Sequence, residues 1–299
     1  MIRALGAPIL LLPVAGCGSG VPPVPVRTAA AVVAVQRTPC AYRDPKAAAL
    51  ARAKLDRDLA HYLARRPGRV SAMAKDLASG ATVGYHQGSH QQITASGAKV
   101  DILVTMLRQA RAQHRGLSGT ERALATNMIT HSDNHAADAL YRRIGQGSGM
   151  SSTYRRLGLR GTSPGPAHYW GGTTTSPYDR VRLISLLAKG GSGLHPDDRA
   201  YALGLMQRVE KEQRWGVSAA ARATDKVALK NGWTPRPFIH NTWAVTSYGR
   251  ILGPGRDYAL SVQTDVQPGM ESGVATIEAI GRLIDRRMAA LNPIRTRTC

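Results

Sequence analysis

Ser96-Gly97-Ala98-Lys99 sets a hydroxyl and an amine three residues apart at the head of an apolar stretch, Val100 to Ala110, that carries Ile102, Leu103, Met106 and Leu107. On a helix this spacing, just under one turn, puts both side chains on one face. A serine hydroxyl becomes a competent nucleophile when a neighbour takes its proton. Lys99 can take it only in its neutral form, which burial, nearby cations and a helix N-terminus all favour. The same N-terminus offers N–H groups to a developing oxyanion. Ser132-Asp133-Asn134 adds a second hydroxyl, able to relay a proton to a leaving nitrogen, and an amide able to hold a carbonyl. Lys230-Asn231-Gly232 adds a cation for a substrate carboxylate and a glycine that lets a substrate backbone approach. Each stretch alone has an ordinary reading: Ser-x-x-Lys recurs by chance, and Ser-Asp-Asn is also a helix cap. The three together, in this order, are far more specific.

Two other residues invite a chemical reading. His131 and His135 stand at i, i+4, a metal-ligand spacing on a helix, but Ser132 occupies the position where a zinc protease needs Glu, and no third ligand is near. The sequence therefore predicts neither a metal nor a cofactor.

These groups need elements to hold them. Leu50, Leu55, Leu59 and Leu63 predict a helix over 47–64, stopped by Pro67-Gly68. Residues 70–77 and 81–85 read as a hairpin turned at Ser79-Gly80. From Gln91 to Ala221 the pattern is mainly helical, with a helix over 179–188 and a long Gly-, Pro- and Thr-rich surface loop from Gly158 to Thr175. Residues 226–233, 239–248 and 258–265 are rich in Val, Thr, Trp and Tyr and read as strands. Val274, Ile277, Ile280 and Ile284 mark one face of a closing helix over 271–291. The order predicts an α/β (α+β) fold: a five-stranded antiparallel sheet flanked by the two terminal helices, with an all-helical subdomain inserted. The domain spans 45–292, its sheet part 45–90 and 222–292 and its helical part 91–221.

The N-terminus reads as an export segment. Arg3 precedes a mostly apolar run, Leu5 to Val14, too short to span a bilayer, and Val14-Ala15-Gly16-Cys17 matches a bacterial lipobox. We expect a signal peptide over 1–16, lipidation of Cys17, a Pro- and Ala-rich tether to residue 44 and a tail over 293–299. The product would be an exported lipoprotein held on the outer face of the cell membrane. A formal net charge of +21 and a pI near 10.8 favour anionic partners, such as cell-envelope polymers. The charges are scattered and no nucleic-acid-binding motif accompanies them, so nucleic acid is not expected as a partner. A monomer is expected.

The three motifs, each on the expected element, resemble the set carried by class A β-lactamases and penicillin-binding proteins, over about residues 45–292. The resemblance implies Ser96 as nucleophile, Lys99 as its proton partner, Ser132 as proton relay and Asn134 as substrate ligand. It makes Lys230 the electrostatic anchor for a substrate carboxylate and the N–H groups of Ser96 and Trp233 the oxyanion hole. Thr173-Thr174-Thr175-Ser176-Pro177 looks like the family's closure of its omega loop. The chain also departs from the pattern. Residues 158–178 contain no Asp or Glu, so the deacylation carboxylate is missing and His168 is the one candidate base there. Asn231 stands where the family prefers Thr or Ser, Trp233 brings a bulky ring to the cleft, and the interval from Ser96 to Ser132 is short. The expectation is a serine hydrolase or acyltransferase for a small-molecule or peptidoglycan-derived substrate, acylated on Ser96 but poor at β-lactam turnover. A non-catalytic lipoprotein binding cell-wall fragments or β-lactams, and a D,D-peptidase or esterase, remain open.

With Cys17 lipidated, Cys40 and Cys299 are left to pair in an oxidising compartment. Non-reducing mass mapping is expected to find the Cys40–Cys299 bridge; both as free thiols would reject it.

Overall fold

The computed structural model describes residues 39–88, 91–288 and 294–298. The signal peptide, Cys17, most of the tether and Cys299, with its bridge to Cys40, lie outside the described residues. β1 (Pro39–Arg43) leads into α1 (Pro45–Leu63). That helix begins before the predicted start because Asp44 caps it, accepting from Ala47 N at 2.9 Å, with Pro45 in the first turn. β2 (Arg69–Asp76) and β3 (Thr82–Tyr85) form the first hairpin, and β4 (Gln92–Ile93) leads to the turn holding Ser96. The helical part follows: α2 (Ala98–Ala112), α3 (Gly119–Thr130), α4 (Asn134–Arg143) and α5 (Gln146–Leu157). Then come β5 (Thr174–Thr175), α6 (Pro177–Lys189) and α7 (Pro196–Gln207). β6 (Lys226–Arg236), β7 (Thr242–Gly253) and β8 (Arg256–Gln267) return to the sheet, followed by α8 (Met270–Met288) and β9 (Ile294–Thr298).

The main sheet is five-stranded and antiparallel, in the order β3-β2-β8-β7-β6, so the two chain halves meet at the β2–β8 pair. α1 and α8 cover one face through Leu55, Leu59, Leu63, Ile277, Ile280 and Ile284. The helical part covers the other, its Leu103, Val181 and Ile184 sharing a core with Met73, Ala228, Tyr248 and Ala259 of the sheet. β6 lies on the edge, where Pro235 removes no ladder donor that the sheet needs. β1 and β9 pair with one another as a small separate sheet where the sequence suggested only tether and tail.

Three readings change. The turn between β6 and β7 runs to Asn241, since His240 (φ 50°) and Asn241 (φ 53°) both take the left-handed conformation; β7 therefore starts at Thr242 rather than 239. The helical part is not purely helical: β4 and β5 pair, tying the 158–176 loop to the approach of Ser96. α3 ends at Thr130 and α4 begins at Asn134, so His131 and His135 do not share a helix and their i, i+4 spacing has no metal-ligand meaning.

α2 is buried on nearly every side from Ala98 to Leu107, as a helix between a sheet and a helical bundle must be. Its Asp101 is answered by the equally buried Arg180 of α6 at 2.6 Å, while Tyr154 of α5 donates to the same carboxylate at 3.2 Å. The guanidinium lies 5.5 Å from the Tyr248 ring centroid, and the Tyr248 hydroxyl donates to Gly97 O at 2.7 Å. The pair thus pins the start of α2 from below. Among the described residues no helix is long and apolar enough to cross a membrane.

Removing one partner of a buried pair strands the other charge, at a cost of about 3–5 kcal/mol. Arg180→Met is expected to lower unfolding free energy in urea by about that much, with the replacement of both partners together costing clearly less; equal losses for the single and double variants would contradict the pairing role.

Candidate active site

Ser96 sits in a single 3₁₀ turn, Ala95–Gly97, that runs directly into α2. Ala95 precedes it at φ 44°, a left-handed conformation that a residue with a Cβ adopts only when its surroundings impose it. The turn's neighbours supply that force: Gly97 N donates to Thr94 O at 2.8 Å, Tyr248 holds Gly97 O, and β6 passes alongside. At Gly232 the contact is backbone to backbone. A methyl added there would stand 2.9 Å from Ser96 N and 2.8 Å from Gly97 N and would overlap Thr94 O. Glycine is therefore required for β6 to reach the nucleophile's own N–H.

Lys99, in the first turn of α2, is fully buried and is the hub of the site. Its Nζ lies 3.0 Å from Ser96 Oγ, 2.5 Å from Ser132 O, 3.1 Å from Ser132 Oγ and 2.8 Å from Asn134 Oδ1. Ser132 occupies the connection between α3 and α4 at φ 56°, with Asp133 capping α4 by accepting from Ala136 N at 2.6 Å. Ser132 Oγ also lies 3.1 Å from Lys230 Nζ, so one hydroxyl bridges two amines. Burial is the main force lowering Lys99 to about 8, and Asp133 and Asp138 oppose it. Burial, with Lys99 alongside, lowers Lys230 to about 7. Both therefore exchange protons near neutrality.

The structure brings Ser96, Lys99, Ser132, Asn134, Lys230 and Gly232 together as the sequence predicted. It places two others differently. Asn231 is fully buried and points away from Lys230, its amide donating to Gln213 O at 2.7 Å and Trp215 O at 3.1 Å. It braces the cleft wall, where Trp215 and Trp233 meet edge to face at 5.7 Å, and does not offer its amide to a substrate. His168 is exposed, with Nδ1 2.8 Å from Gln146 Oε1 and no hydrogen bond to Ser96 or Lys99. The loop residue that reaches the hub is Trp170. Its ring lies 4.8 Å from Lys99 Nζ, and its Nε1 donates to Asp138 Oδ1 of α4 at 2.7 Å. Sequence reasoning missed it because a lone Trp in a Gly-rich loop carries no spacing signal; the one available cue was a large apolar side chain where no core is expected. His131 faces Glu210 on the rim. Among the described residues no cluster suited to a metal ion occurs.

The family model described as the beta-lactamase enzyme family matches residues 112–288. That span holds Ser132, Asn134 and Lys230 but begins after Ser96 and Lys99, so the nucleophile rests on the geometry above. A protein that carries the name lipoprotein LppW, from Mycobacterium tuberculosis (strain CDC 1551 / Oshkosh), is 31% identical over 207 residues, covering 67% of this chain; the match spans 63% of that relative's length. Among solved structures, PBP-A superposes with a TM-score of 0.67 at 21% identity, covering 79% of this chain and 96% of that one. A class A beta-lactamase from Mycobacterium abscessus gives 0.68 at 21% identity, covering 79% and 99%. At these identities the two structures speak for the fold alone.

Displacing reacting groups by about 1 Å costs on the order of a hundredfold in rate. Gly232→Ala is expected to reduce covalent labelling of Ser96 by about that factor while the far-UV spectrum stays native; undiminished labelling would show that β6 does not need this close approach.

Proposed function

The chain belongs to the beta-lactamase enzyme family, and within it we propose a serine acyl-transfer enzyme that forms an ester on Ser96 and turns β-lactams over poorly. The observation that carries this reading is the set of acceptors around Lys99. A neutral amine has two N–H donors and one lone pair. Ser132 O and Asn134 Oδ1 have no proton to give, so they take the two donors at 2.5 and 2.8 Å. The lone pair is left for the hydroxyls, of which Ser96 stands at 3.0 Å. The surroundings thus orient the amine as a base toward the nucleophile.

The steps follow from that orientation. Ser96 Oγ attacks the acyl carbonyl as its proton passes to Lys99 Nζ. The N–H groups of Ser96 and Trp233 take the oxyanion where β6 meets the turn. The tetrahedral carbon then expels its leaving group, which gains the proton through Ser132 Oγ, poised between Lys99 and Lys230 at 3.1 Å from each. Asn134 holds the substrate amide, and Lys230 in its charged form attracts a substrate carboxylate. Deacylation is the slow step, since the 158–178 loop lacks an acidic residue. A peptidoglycan-derived peptide, a related ester and a β-lactam all suit this chemistry, and the D,D-peptidase and esterase readings are forms of it. The non-catalytic binding reading draws on the same missing acid, but it leaves the ordered base unexplained. The lipobox at Cys17 and the name of the relative LppW support an exported, membrane-anchored protein.

Intact mass after exposure to a fluorescent penicillin and to a small p-nitrophenyl ester tests the reading. An adduct on the wild type that disappears in Ser96→Ala is expected; no adduct with either donor supports the binding protein instead. The two lysines also predict a divergence with pH. Acylation by the neutral ester rises as pH passes about 8, where Lys99 becomes neutral. Acylation by the penicillin gains less, because Lys230 loses its charge above about 7. The penicillin-to-ester ratio of acylation rates is therefore expected to fall across this range, and a flat ratio would separate Lys230 from carboxylate binding.

A further inference from the structure

We propose that Trp170, clamped by Asp138, is the positioning residue that denies water access to Lys99 and so sets the lifetime of the Ser96 ester. The inference rests on the acyl-enzyme reading and adds a cause for its slow second step.

Hydrolysis of a Ser96 ester needs a water whose oxygen attacks the ester carbonyl as its proton leaves to a base. The bond from carbonyl carbon to Ser96 Oγ then breaks, and the proton returns to Oγ. With no carboxylate in the 158–178 loop, the base nearest to the ester is Lys99 itself. Four oxygen atoms, of Ser96, Ser132 and Asn134, stand within hydrogen-bond distance of its Nζ. The amine also lies over the Trp170 ring, 4.8 Å from its centroid. A water reaching the amine from the loop has to displace that ring.

The ring is held firmly. Trp170 is only 8% exposed, and its Nε1 donates to Asp138 Oδ1 at 2.7 Å. Its backbone is tied to the nucleophile's own approach: Trp170 O accepts from Thr173 N at 3.0 Å and from Thr173 Oγ1 at 2.7 Å, and Thr173 O accepts from Thr94 N at 2.8 Å. The loop, the Ser96 turn and α4 thus converge on one indole. The same ring helps to bury Lys99, and burial is the cause that lowers the amine to about 8, so the indole both bars water from the loop side and keeps the amine poorly hydrated.

Stopped-time intact mass of the penicillin adduct, after removal of excess drug, reads the lifetime, and the pH midpoint of acylation by the neutral ester reads Lys99. Trp170→Ala is expected to shorten the adduct half-life at least about tenfold and, by hydrating the buried amine, to raise the midpoint by about half to one pH unit. Asp138→Ala, which frees the indole without opening a core cavity, is expected to shorten the half-life in the same direction. Trp170→Phe, which keeps a ring over Lys99, falls nearer to wild type in both readouts. Native thermal transitions of the last two variants keep the test valid if Trp170→Ala folds poorly. A wild-type adduct whose half-life is unchanged in these variants overturns the role of Trp170. Failure of the wild type to form any adduct overturns the acyl-enzyme reading itself, and the two outcomes are distinct.

Discussion

A lysine amine with no solvent exposure is the constraint on which the rest of the structure turns. A buried ammonium is costly unless it is paired or fully hydrogen-bonded, and burial alone pushes such a group toward neutrality. Among the described residues Lys99 has no carboxylate in hydrogen-bond contact. It is satisfied by a backbone carbonyl, a side-chain amide and two hydroxyls drawn from the turn before α2 and the α3–α4 connection. Its partners therefore come from segments far apart in the chain, and the fold exists, in this region, to bring them within 3.1 Å of one atom.

The supports run outward from that atom. Below it, Asp101 and Arg180 lock α2 to α6, and Tyr248 carries the lock to the sheet. Beside it, Gly232 lets β6 press against the Ser96 turn. Above it, the β4–β5 pair and Thr173 hold the Gly-rich loop. On the rim the segment between α7 and β6 braces two motifs at once. Gln213 donates to His131 O at 3.1 Å, and the Gln213 and Trp215 carbonyls accept from Asn231. Left-handed Ala95 and Ser132 stand on either side of the amine; backbone strain of this kind persists only where the surroundings over-determine it.

The part of this design legible in the sequence was the part governed by local spacing or periodicity. Ser96 and Lys99 share a face because three residues is nearly a helical turn, and the Leu and Ile stripes of α1 and α8 mark their buried faces, except that Leu50 of α1 is exposed. The order of elements was enough for a five-stranded sheet with a helical insertion. What was illegible depends on tertiary neighbours. The two-residue strands β4 and β5 are too short for a period. The side-chain direction of Asn231 follows from where the 213–215 segment passes. His168 and Trp170 lie two residues apart in one loop, and only the path of that loop decides that the indole, not the imidazole, meets Lys99. The identity of the hub's partners was readable, but the bracing behind them was not.

The central claim is that the Lys99 amine is shifted far enough below an ordinary lysine to reach its neutral, basic form just above neutrality. Its most direct test is the titration of the Lys99 side chain by carbon-13 NMR of lysine-labelled protein, with its resonance assigned through Lys99→Arg. The account predicts a midpoint near 8, well below an ordinary lysine. A Lys99 resonance that titrates with the bulk of the surface lysines would contradict it.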